Sequence, residues 1–495
     1  MLAVLVRDGG APLHLQLERA LRDHIRAGRL RPGGRLPSTR TLAADLGVAR
    51  GVVAEAFAQL RAEGRLVANR GAGTRVAPRA GTDGPAAGRP APRSPGPAPR
   101  PATARQGPAP APRAADDGAP PTAGSAPLPI RFDFRLGIPD LALFPRRAWL
   151  AASRAALADL PDGDLGYGDP TGLPELRAEI AAYLNRVRAA DATAGAVVVT
   201  SGTVQGLALL CTVLRGRGAR RIAVESPGWP AQRAAVAGAG LEPVDLPVDG
   251  GGAQVERLAG LAVDAVMLTP AHQFPTGAVL DPERRVWLAR WAERTGALIV
   301  EDDYDAEYRY DRSAPGCLQG LAPARTVYAG TTSKTLAPAL RLGWLIAPPD
   351  LTAPLARAKL DADRASPALT QRAFASFLAG GDVDRHLRRT RPIYRERRAT
   401  LLDALAERLP ALRATGAAAG LHLVATLPEE LDAVTVAAAA SERGVAVSAV
   451  PAAPAGGDGA GRERLLMGYA GLPAERIRAG VAELADAVAQ ASPLR

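Results

Sequence analysis

The stretch TVYAGTTSKTLAPALR, residues 326–341, joins a short apolar strand to a polar turn. Three hydroxyl residues follow the strand, then Lys334, and Arg341 comes seven positions later. Of the 61 lysine and arginine residues in the chain, only Lys334 and Lys359 are lysine. Because arginine forms no Schiff base and stays protonated in proteins, a lysine kept in so arginine-rich a chain is a candidate reactive group. Lys359 lacks this setting and is predicted to be a helix-surface residue.

Similar polar clusters follow four other predicted strands. The predicted strands alternate with helices along the chain and are Val197–Thr200, Ile222–Glu225, Ala265–Thr269, Leu298–Glu301 and Thr326–Ala329. This alternation predicts an α/β fold with a mainly parallel sheet and helices on both faces, in which ligands collect at the carboxyl ends of the strands. The clusters at those ends are Thr200–Gln205, Glu225–Trp229, His272–Gly277, Glu301–Tyr304 and Thr331–Lys334.

Each cluster offers one part of a cofactor site. A helix beginning near Thr203 offers N–H groups to a phosphate, and the acids of Glu301–Tyr304 offer a carboxylate to a cationic ring. Together with a lysine amine, an arginine and the ring of Trp229, these are the requirements of pyridoxal 5'-phosphate (PLP). Taken singly, these features are common. Capped helices are frequent, and an aromatic ring near a strand end more often belongs to the core than stacks on a cofactor. The histidines show no metal-ligand spacing, and no GxGxxG motif follows a strand.

A proline-rich segment divides the chain. Residues 78–130 contain 15 prolines and almost no large apolar residue. Such a segment cannot bury enough apolar surface to fold, so we predict a disordered, partly extended tether. The predicted domains are therefore a small one at residues 1–77 and a large one at residues 131–495. A smaller C-terminal subdomain of the large one is predicted over residues 385–495.

The small domain is predicted to contain three helices and a hairpin. A helix with leucines at positions 13, 17 and 21 precedes a short helix capped by Ser38, and a third helix begins near Arg50. Gly47 turns the chain between the second and third helices, and residues 66–77 form a two-stranded wing. Two helices joined by a tight glycine turn are the helix-turn-helix arrangement that reads the major groove of DNA. Residues 1–80 carry 14 arginines against six acidic residues, which suits DNA but also a solvated basic face.

The composition excludes several other classes of protein. The chain has 495 residues, 47% of them hydrophobic, which is ample for several folded domains. No apolar run reaches the roughly 20 residues of a membrane helix, and the amino terminus has no signal core. Cys211 and Cys317 are too few for a disulfide framework or a four-ligand zinc site. We therefore expect a soluble cytoplasmic protein without a membrane or metal partner.

Residues 36–77, LPSTRTLAADLGVARGVVAEAFAQLRAEGRLVANRGAGTRVA, closely resemble the winged helix of GntR-type bacterial regulators. The resemblance implies double-stranded DNA as the partner, with contacts from Arg40, Arg50 and the wing tip at Gly71. Ser38 joins this candidate set. The recognition helix departs from the pattern where hydroxyl residues are usual, at Ala49, Gly51 and Val52, which lowers the expected affinity. A helical interaction module that binds no DNA is the alternative.

The large domain resembles the fold-type-I aminotransferases over about residues 131–490, and the whole chain resembles the MocR-type regulators of the GntR superfamily. The resemblance implies that Lys334 forms the internal aldimine with PLP and that Asp302 pairs with the pyridinium nitrogen. It also implies that Tyr304 hydrogen-bonds the phenolate oxygen and that Trp229 stacks on the ring. The residues that it implies for the phosphate are Thr203, Val204, Thr331 and Arg341.

Three further positions bear on assembly and activity. Tyr167, in YGDPTGLPELR, matches a tyrosine that reaches the phosphate of a neighbouring subunit, which implies a homodimer. Phe274 stands where enzymes of this fold carry asparagine, so the resemblance implies a lost hydrogen bond to the cofactor and weak transamination. Arg464, in RERLLMGYAG, falls where aminotransferases bind the substrate carboxylate, although an ordinary surface arginine is the alternative.

We interpret the chain as a PLP-dependent, DNA-binding transcriptional regulator that senses PLP or an amino compound as its effector. One alternative is a working aminotransferase with a vestigial DNA-binding arm, and another is an inert cofactor-binding scaffold. The intact set of Lys334, Asp302 and Arg341 favours the enzyme. Phe274, together with the retained Arg40 and Arg50, favours the regulator.

Overall fold

A computed structural model describes residue 5 and residues 12–69, 73–77, 129–310, 315–450 and 463–492. The predicted tether lies outside these ranges except for residues 129 and 130, and Gly71 at the predicted wing tip also lies outside them. Within the described residues, no helix is long and apolar enough to cross a membrane.

The amino-terminal part forms the predicted winged helix-turn-helix. Its elements are α1 (Leu13–Arg26), α2 (Thr39–Leu46), α3 (Arg50–Ala62), β1 (Leu66–Asn69) and β2 (Gly73–Val76). The hydroxyl of Ser38 accepts the N–H of Thr41 and caps α2, and Gly47 ends α2 with a φ of 63° that L side chains rarely adopt. Leucines of α1 and α2 pack against Val53 and Phe57 of α3 in a separate small core. The predicted helices and wing strands are confirmed.

The large domain is built on one mixed sheet. Its strands are β4 (Val197–Thr200), β5 (Arg221–Ser226), β6 (Glu242–Asp249), β7 (Gly252–Ala253), β8 (Ala265–Leu268), β9 (Leu298–Asp303), β10 (Thr326–Thr331) and β11 (Gly343–Ile346), with β3 (Phe132–Asp133) elsewhere. The strand order is β4-β11-β10-β9-β8-β5-β6-β7. The β10, β9, β8, β5 and β6 pairings are parallel, whereas β11 and β7 run antiparallel to their neighbours. The predicted mainly parallel sheet is confirmed.

Helices cover both faces of this sheet. They are α4 (Arg146–Ala158), α5 (Pro174–Val187), α6 (Thr203–Gly216), α7 (Pro230–Gly238), α8 (Pro282–Thr295), α9 (Pro349–Asp363) and α10 (Ala368–Ala379). Alternate residues of a strand face opposite sides, so in β4 Val198 packs with the core beneath α6 and α9, while Val197 and Val199 join the core on the other face. This double packing explains why the strand is a continuous valine run.

The remaining chain adds a smaller sheet and three helices. Its elements are α11 (Asp382–Arg408), β12 (Arg413–Thr415), β13 (His422–Thr426), α12 (Ala433–Glu442), β14 (Val445–Ala446), β15 (Ser448–Val450), β16 (Arg464–Gly468) and α13 (Ala474–Ala491). Strands β12, β13, β16 and β15 form an antiparallel sheet, and β14 pairs with β3. The register places His422 of β13 opposite Gly468 of β16.

Candidate cofactor site and nucleic-acid interface

The polar clusters named from the sequence meet at one edge of the large sheet. Strands β5, β8, β9 and β10 are parallel neighbours, and β4 shares their direction because β11 runs antiparallel to both β4 and β10. Their carboxyl ends therefore share an edge, where a ligand of an α/β sheet is expected.

Asp302 lies on β9 and is 3% exposed. Its Oδ2 accepts a hydrogen bond from Nε2 of Gln232 at 3.0 Å, whereas its Oδ1 is buried with no hydrogen-bond partner among the described residues. Burial raises the pKa of the carboxyl to about 7, against the lowering effects of Gln232 and of the charge on Lys334. A buried carboxylate with one unsatisfied oxygen fits a cationic ring nitrogen. The sequence interpretation missed Gln232, whose place on α7 gave no local signal.

Lys334 lies in the turn that follows β10. Its Nζ donates to the carbonyl of Gly137 at 2.7 Å, and a Cβ on Gly137 would lie 3.1 Å from that nitrogen. Gly137 has a φ of 93°, a conformation in which glycine has no steric penalty. The amine is therefore held beside a backbone turn that leaves room for it, and its charge acts on Asp302.

The amino terminus of α6 forms a cradle for an anion. Gly202 precedes the helix with a φ of 95°, and a Cβ there would approach Nη1 of Arg341 to 3.2 Å. Arg341 donates to the carbonyl of Ser201, while the hydroxyl of Thr331 donates to the hydroxyl of Ser333 at 3.0 Å. The first N–H groups of α6 have no acceptor within the helix. A helix end, a guanidinium and hydroxyls are the donors that a phosphate needs.

The hydroxyl of Tyr304 lies 3.1 Å from Nδ1 of His272, and the same nitrogen lies 2.9 Å from Oδ2 of Asp305. His422 completes a buried group, with its ring centroid 5.2 Å from that of His272 and its Nε2 without a hydrogen-bond partner among the described residues. Burial raises the pKa of Tyr304 well above its ordinary value and lowers that of His422 to about 4. The side-chain ligand atoms of His272, Asp305 and His422 lie within 4.8 Å of one another. Imidazole nitrogens and a carboxylate oxygen are donor types that bind metal ions, so this group could hold one. No sequence pattern predicted this group, because its members come from three separate segments that the fold brings together.

Two aromatic residues border the same edge. Phe274 packs edge-on against Tyr304 and His422, with ring centroids 6.4 and 5.7 Å apart. It therefore presents carbon atoms where the resemblance would place an amide. Trp229 immediately precedes α7 at the end of β5 and is half-buried against the core beneath α6. Beside it, burial raises the pKa of Glu225 to about 7, and that carboxyl accepts two hydrogen bonds from Thr269.

Two predicted residues lie at a distance from the inner cluster. The side chain of Tyr167 is 93% exposed, and its ring lies 5.7 Å from the guanidinium of Arg364. Arg464 is the first residue of β16, four positions from the residue that pairs with His422, or roughly 13 Å along the strand. Arg464 is buried, and burial lowers the pKa of its guanidinium. The interpretation of Arg464 as an ordinary surface arginine does not fit this burial.

The prediction for Lys359 is wrong. Its side chain is fully buried, and its Nζ lies 2.8 and 2.9 Å from the two carboxylate oxygens of Asp363 and 3.3 Å from Oε1 of Gln205. The reason is that α9 packs along α6, with Leu351 and Leu355 in the shared core, so this face of α9 is not a surface.

The predicted DNA-contacting arginines lie on the outer face of the winged helix. Arg40 on α2 and Arg50 at the start of α3 are both exposed, and Nε of Arg50 donates to the hydroxyl of Thr39 at 3.3 Å. Ser38 is exposed as well, although its hydroxyl is already engaged in capping α2. In a helix-turn-helix, residues at the start of the second helix are the ones that reach base edges in the major groove, and the exposed Arg50 has this position in α3.

Another part of the winged helix packs against the large domain. Nη2 of Arg65 donates to the carbonyl of Gly320 at 2.6 Å, and the guanidinium of Arg26 donates to the carbonyls of Ala189 and Ala190. Just before Gly320, the N–H groups of Leu318 and Gln319 donate to the carboxylate of Glu301, the residue next to Asp302. The contact therefore ends on a loop held by β9, the strand that carries Asp302.

Fold and site together define a class I and II aminotransferase-type domain joined to a bacterial helix-turn-helix. The family model "Aminotransferase class I and II" matches residues 134–484, and "Bacterial regulatory proteins, gntR family" matches residues 13–76. The chain belongs to the MocR-type regulators within the GntR superfamily.

Its similarity to individual regulators extends over nearly the whole length. The chain is 34% identical over 475 residues to the "HTH-type pyridoxine biosynthesis transcriptional regulator PdxR" of Corynebacterium glutamicum, covering 96% of this chain and 95% of that one. It is 33% identical to the "Probable rhizopine catabolism regulatory protein MocR" of Rhizobium meliloti, covering 98% and 95%. Among solved structures, the α-aminoadipate aminotransferase LysN of Thermus thermophilus matches with a TM-score of 0.65 and 27% identity, covering 72% of this chain and 92% of that one.

Proposed function

We propose that this protein is a PLP-dependent transcriptional regulator whose large domain senses PLP or an amino compound. The observation that carries the proposal is that one chain combines a helix-turn-helix whose second helix begins with the exposed Arg50 and a cofactor-type site with the unsatisfied Oδ1 of Asp302. The Arg65–Gly320 contact supports it, because it joins the two parts through the loop fixed to Glu301. Since such a regulator acts on the chromosome, we place it in the cytoplasm.

The proposed cofactor is held by groups whose chemistry matches its parts. Asp302 would accept from the ring nitrogen, Arg341, Thr331 and the start of α6 would bind the phosphate, and Lys334 would provide the amine. Trp229 would cover one face of the ring and Tyr304 would approach its oxygen. When bound, PLP supplies an electrophilic carbonyl that condenses with amines, which is how an amino compound would be recognised.

We further propose that the active form is a homodimer that binds two DNA half-sites. The support is the exposure of Tyr167, whose ring would be available to a second copy. In this arrangement residues 1–77 read DNA, residues 78–130 act as the tether and residues 131–495 hold the sensor. Arg464 would bind the carboxylate of an amino-acid effector, and its burial in an arginine-rich chain favours a specific role.

Footprinting of the full chain on DNA upstream of its own gene tests the regulator. We expect a protected site with two related half-sites, and we expect random DNA of equal length to show no protection. The absence of any protected site in the neighbouring intergenic DNA would contradict the proposal.

Attachment of the cofactor is tested separately by chemistry at Lys334. Purified protein with PLP should show the visible absorbance of an imine. Borohydride should reduce this imine to a stable covalent adduct, and peptide mass spectrometry should place the adduct on Lys334. An adduct on Lys359 would refute the assignment.

The second candidate function is an aminotransferase with a vestigial DNA-binding arm. It is favoured by the complete set of Lys334, Asp302 and Arg341 at one sheet edge. Multiple turnovers with an amino donor and a keto acid, together with no specific DNA site, would favour this candidate over the regulator.

A further inference from the structure

Lys359 is one of two lysines in a chain with 61 lysine and arginine residues, and it is fully buried. Its Nζ lies within 2.8–3.3 Å of three acceptor atoms, two on Asp363 and one on Gln205. An ammonium group has three N–H donors, so the three acceptors match its donors in number. Lysine side chains are rarely buried unless they are paired. Lys359 follows this rule, because each of its three N–H groups has an acceptor.

The acceptor on Gln205 connects this position to the anion cradle. Oε1 of Gln205 accepts both the N–H of Ser201 at 2.7 Å and Nζ of Lys359 at 3.3 Å. Nε2 of the same amide donates to Oδ2 of Asp363 at 2.6 Å, which fixes the orientation of the amide. The carbonyl of Ser201 in turn accepts from Arg341. Ser201 is therefore held from one side by the Lys359 network and from the other by the arginine of the cradle.

The position explains why lysine is retained here. A guanidinium is larger and planar and directs its five donors in a fixed fork, whereas an ammonium is compact. Within a fully buried slot beneath α6, the compact group reaches a carboxylate and an amide oxygen together. Its charge is largely balanced by Asp363, so it acts through orientation rather than by attracting an anion.

We propose that Lys359 is a positioning residue for the phosphate of the cofactor, acting through Gln205 on the Ser201–Gly202 turn and the first N–H groups of α6. The inference rests on the proposed function, because it requires PLP to bind at Lys334. Loss of the ammonium removes one of the two donors to Oε1 of Gln205 and the cation beside Asp363, so the amide that holds Ser201 is fixed less firmly. Phosphate recognition is thereby weakened, while the amine of Lys334 and the carboxylate of Asp302 are untouched.

The test compares PLP with pyridoxal, which has the same ring and carbonyl but no phosphate. Apoprotein is titrated with each compound and the visible absorbance of the Lys334 adduct is followed. In Lys359→Met the affinity for PLP should fall about tenfold, which is the low end of the effect of losing one hydrogen bond to a charged group, while the affinity for pyridoxal stays unchanged. Lys359→Arg should not restore PLP affinity, because the larger group does not fit the slot.

Arg357→Met is the matched control. Arg357 pairs with Asp361 at 3.4 Å on the same helix and with the same four-residue spacing, but both side chains are largely exposed. This variant should bind both compounds as the wild type does. Asp363→Asn is a milder second variant, since this carboxyl is partly exposed, and it should weaken PLP more than pyridoxal.

Two outcomes overturn the inference alone. The first is equal weakening of PLP and pyridoxal in Lys359→Met and Asp363→Asn, which means a general packing role. The second is unchanged affinity for both compounds in Lys359→Met. Failure of the wild type and Arg357→Met to form any adduct at Lys334 overturns the proposed function and this inference together.

Discussion

Arg65 of the winged helix donates a hydrogen bond from Nη2 to the backbone carbonyl of Gly320 in the large domain at 2.6 Å. Arg65 is 6% exposed, and any Cβ on Gly320 would overlap the carbonyl of Ala189, so the fit leaves no space for a side chain there. The loop that carries Gly320 is tied through Leu318 and Gln319 to Glu301, beside Asp302. This contact joins the winged helix to the loop that is fixed next to Asp302.

Arg65→Met should reduce the effect of PLP on DNA affinity without reducing PLP binding. A structural change at Asp302 would be passed to the winged helix through the Arg65–Gly320 hydrogen bond, and the variant removes the donor of that bond. The ratio of DNA dissociation constants with and without PLP should fall toward one, from a wild-type coupling of about 5–150-fold.

Arg61→Met is the control for Arg65, because Arg61 is exposed and donates to the carbonyl of Phe57 in its own helix. It should leave the coupling intact. A wild-type ratio in Arg65→Met, measured by fluorescence anisotropy on a labelled site, would show that the contact carries no coupling.

The stability of the cofactor-free protein should depend on the ionisation of Asp302. The pKa of this carboxyl is raised to about 7 from an ordinary value of 3.8, so the unfolded chain releases the proton at lower pH than the folded one does. Stability from this group is thus complete below about pH 4 and is lost as the pH rises through 7. When the pH is raised from 5 to 8, the Tm of Asp302→Asn should therefore fall less than the Tm of the wild type.

Calorimetry of both apoproteins measures this difference, and other raised carboxyls such as Glu225 and Glu301 cancel in the comparison. Saturating PLP should flatten the wild-type profile, since a cationic ring nitrogen stabilises the ionised carboxylate. Identical Tm changes in the two apoproteins would mean that Asp302 is not the titrating group.

Phe274→Asn should speed the first half of transamination. Phe274 offers only ring carbons beside Tyr304 and His422, and an amide there would add a hydrogen bond toward the cofactor oxygen. We expect slow or absent half-transamination in the wild type and a rate about tenfold higher in the variant, as one hydrogen bond would give. Single-turnover absorbance with a panel of amino acids measures both rates, and fast multiple turnover by the wild type would contradict the expectation.

Arg50→Ala should weaken the specific DNA site more than random DNA. Arg50 is exposed at the start of α3, and a bidentate arginine–guanine contact discriminates by about 1–3 kcal/mol. Residues 1–80 alone should bind poorly, because two tethered half-site readers gain affinity by acting together. Arg61→Ala provides an exposed control, and equal losses on both DNAs for Arg50→Ala would identify Arg50 as a phosphate contact.

The sequence predicted those parts of the fold and site that depend on local pattern. The strands ending at Thr200 and near Asp302, the cap at Ser38 and the turn at Gly47 were confirmed, because periodicity and capping chemistry are local properties. The failure at Lys359 is tertiary in origin. The sequence of α9 does not show that α6 covers this face of the helix. A lysine on an isolated helix is expected to point into solvent.

The unpredicted parts of the site are all joined across distant segments. Gln232 reaches Asp302 over a separation of 70 positions, and His272, Asp305 and His422 come from three different segments. Such pairings follow from strand order, which single-sequence patterns do not encode. The packing of the winged helix on Gly320 likewise depends on the fit between the surfaces of the two domains, which no local sequence motif predicts.

The central claim is that cofactor at Lys334 changes DNA binding by this chain. The most direct measurement is the dissociation constant of the full chain for its footprinted site, with and without PLP, in the wild type and in Lys334→Ala. We predict a PLP-dependent change in the dissociation constant of the wild type, toward either tighter or weaker binding, and no such change in Lys334→Ala. The same DNA affinity with and without PLP in the wild type, at a PLP concentration that saturates the visible absorbance, would contradict it.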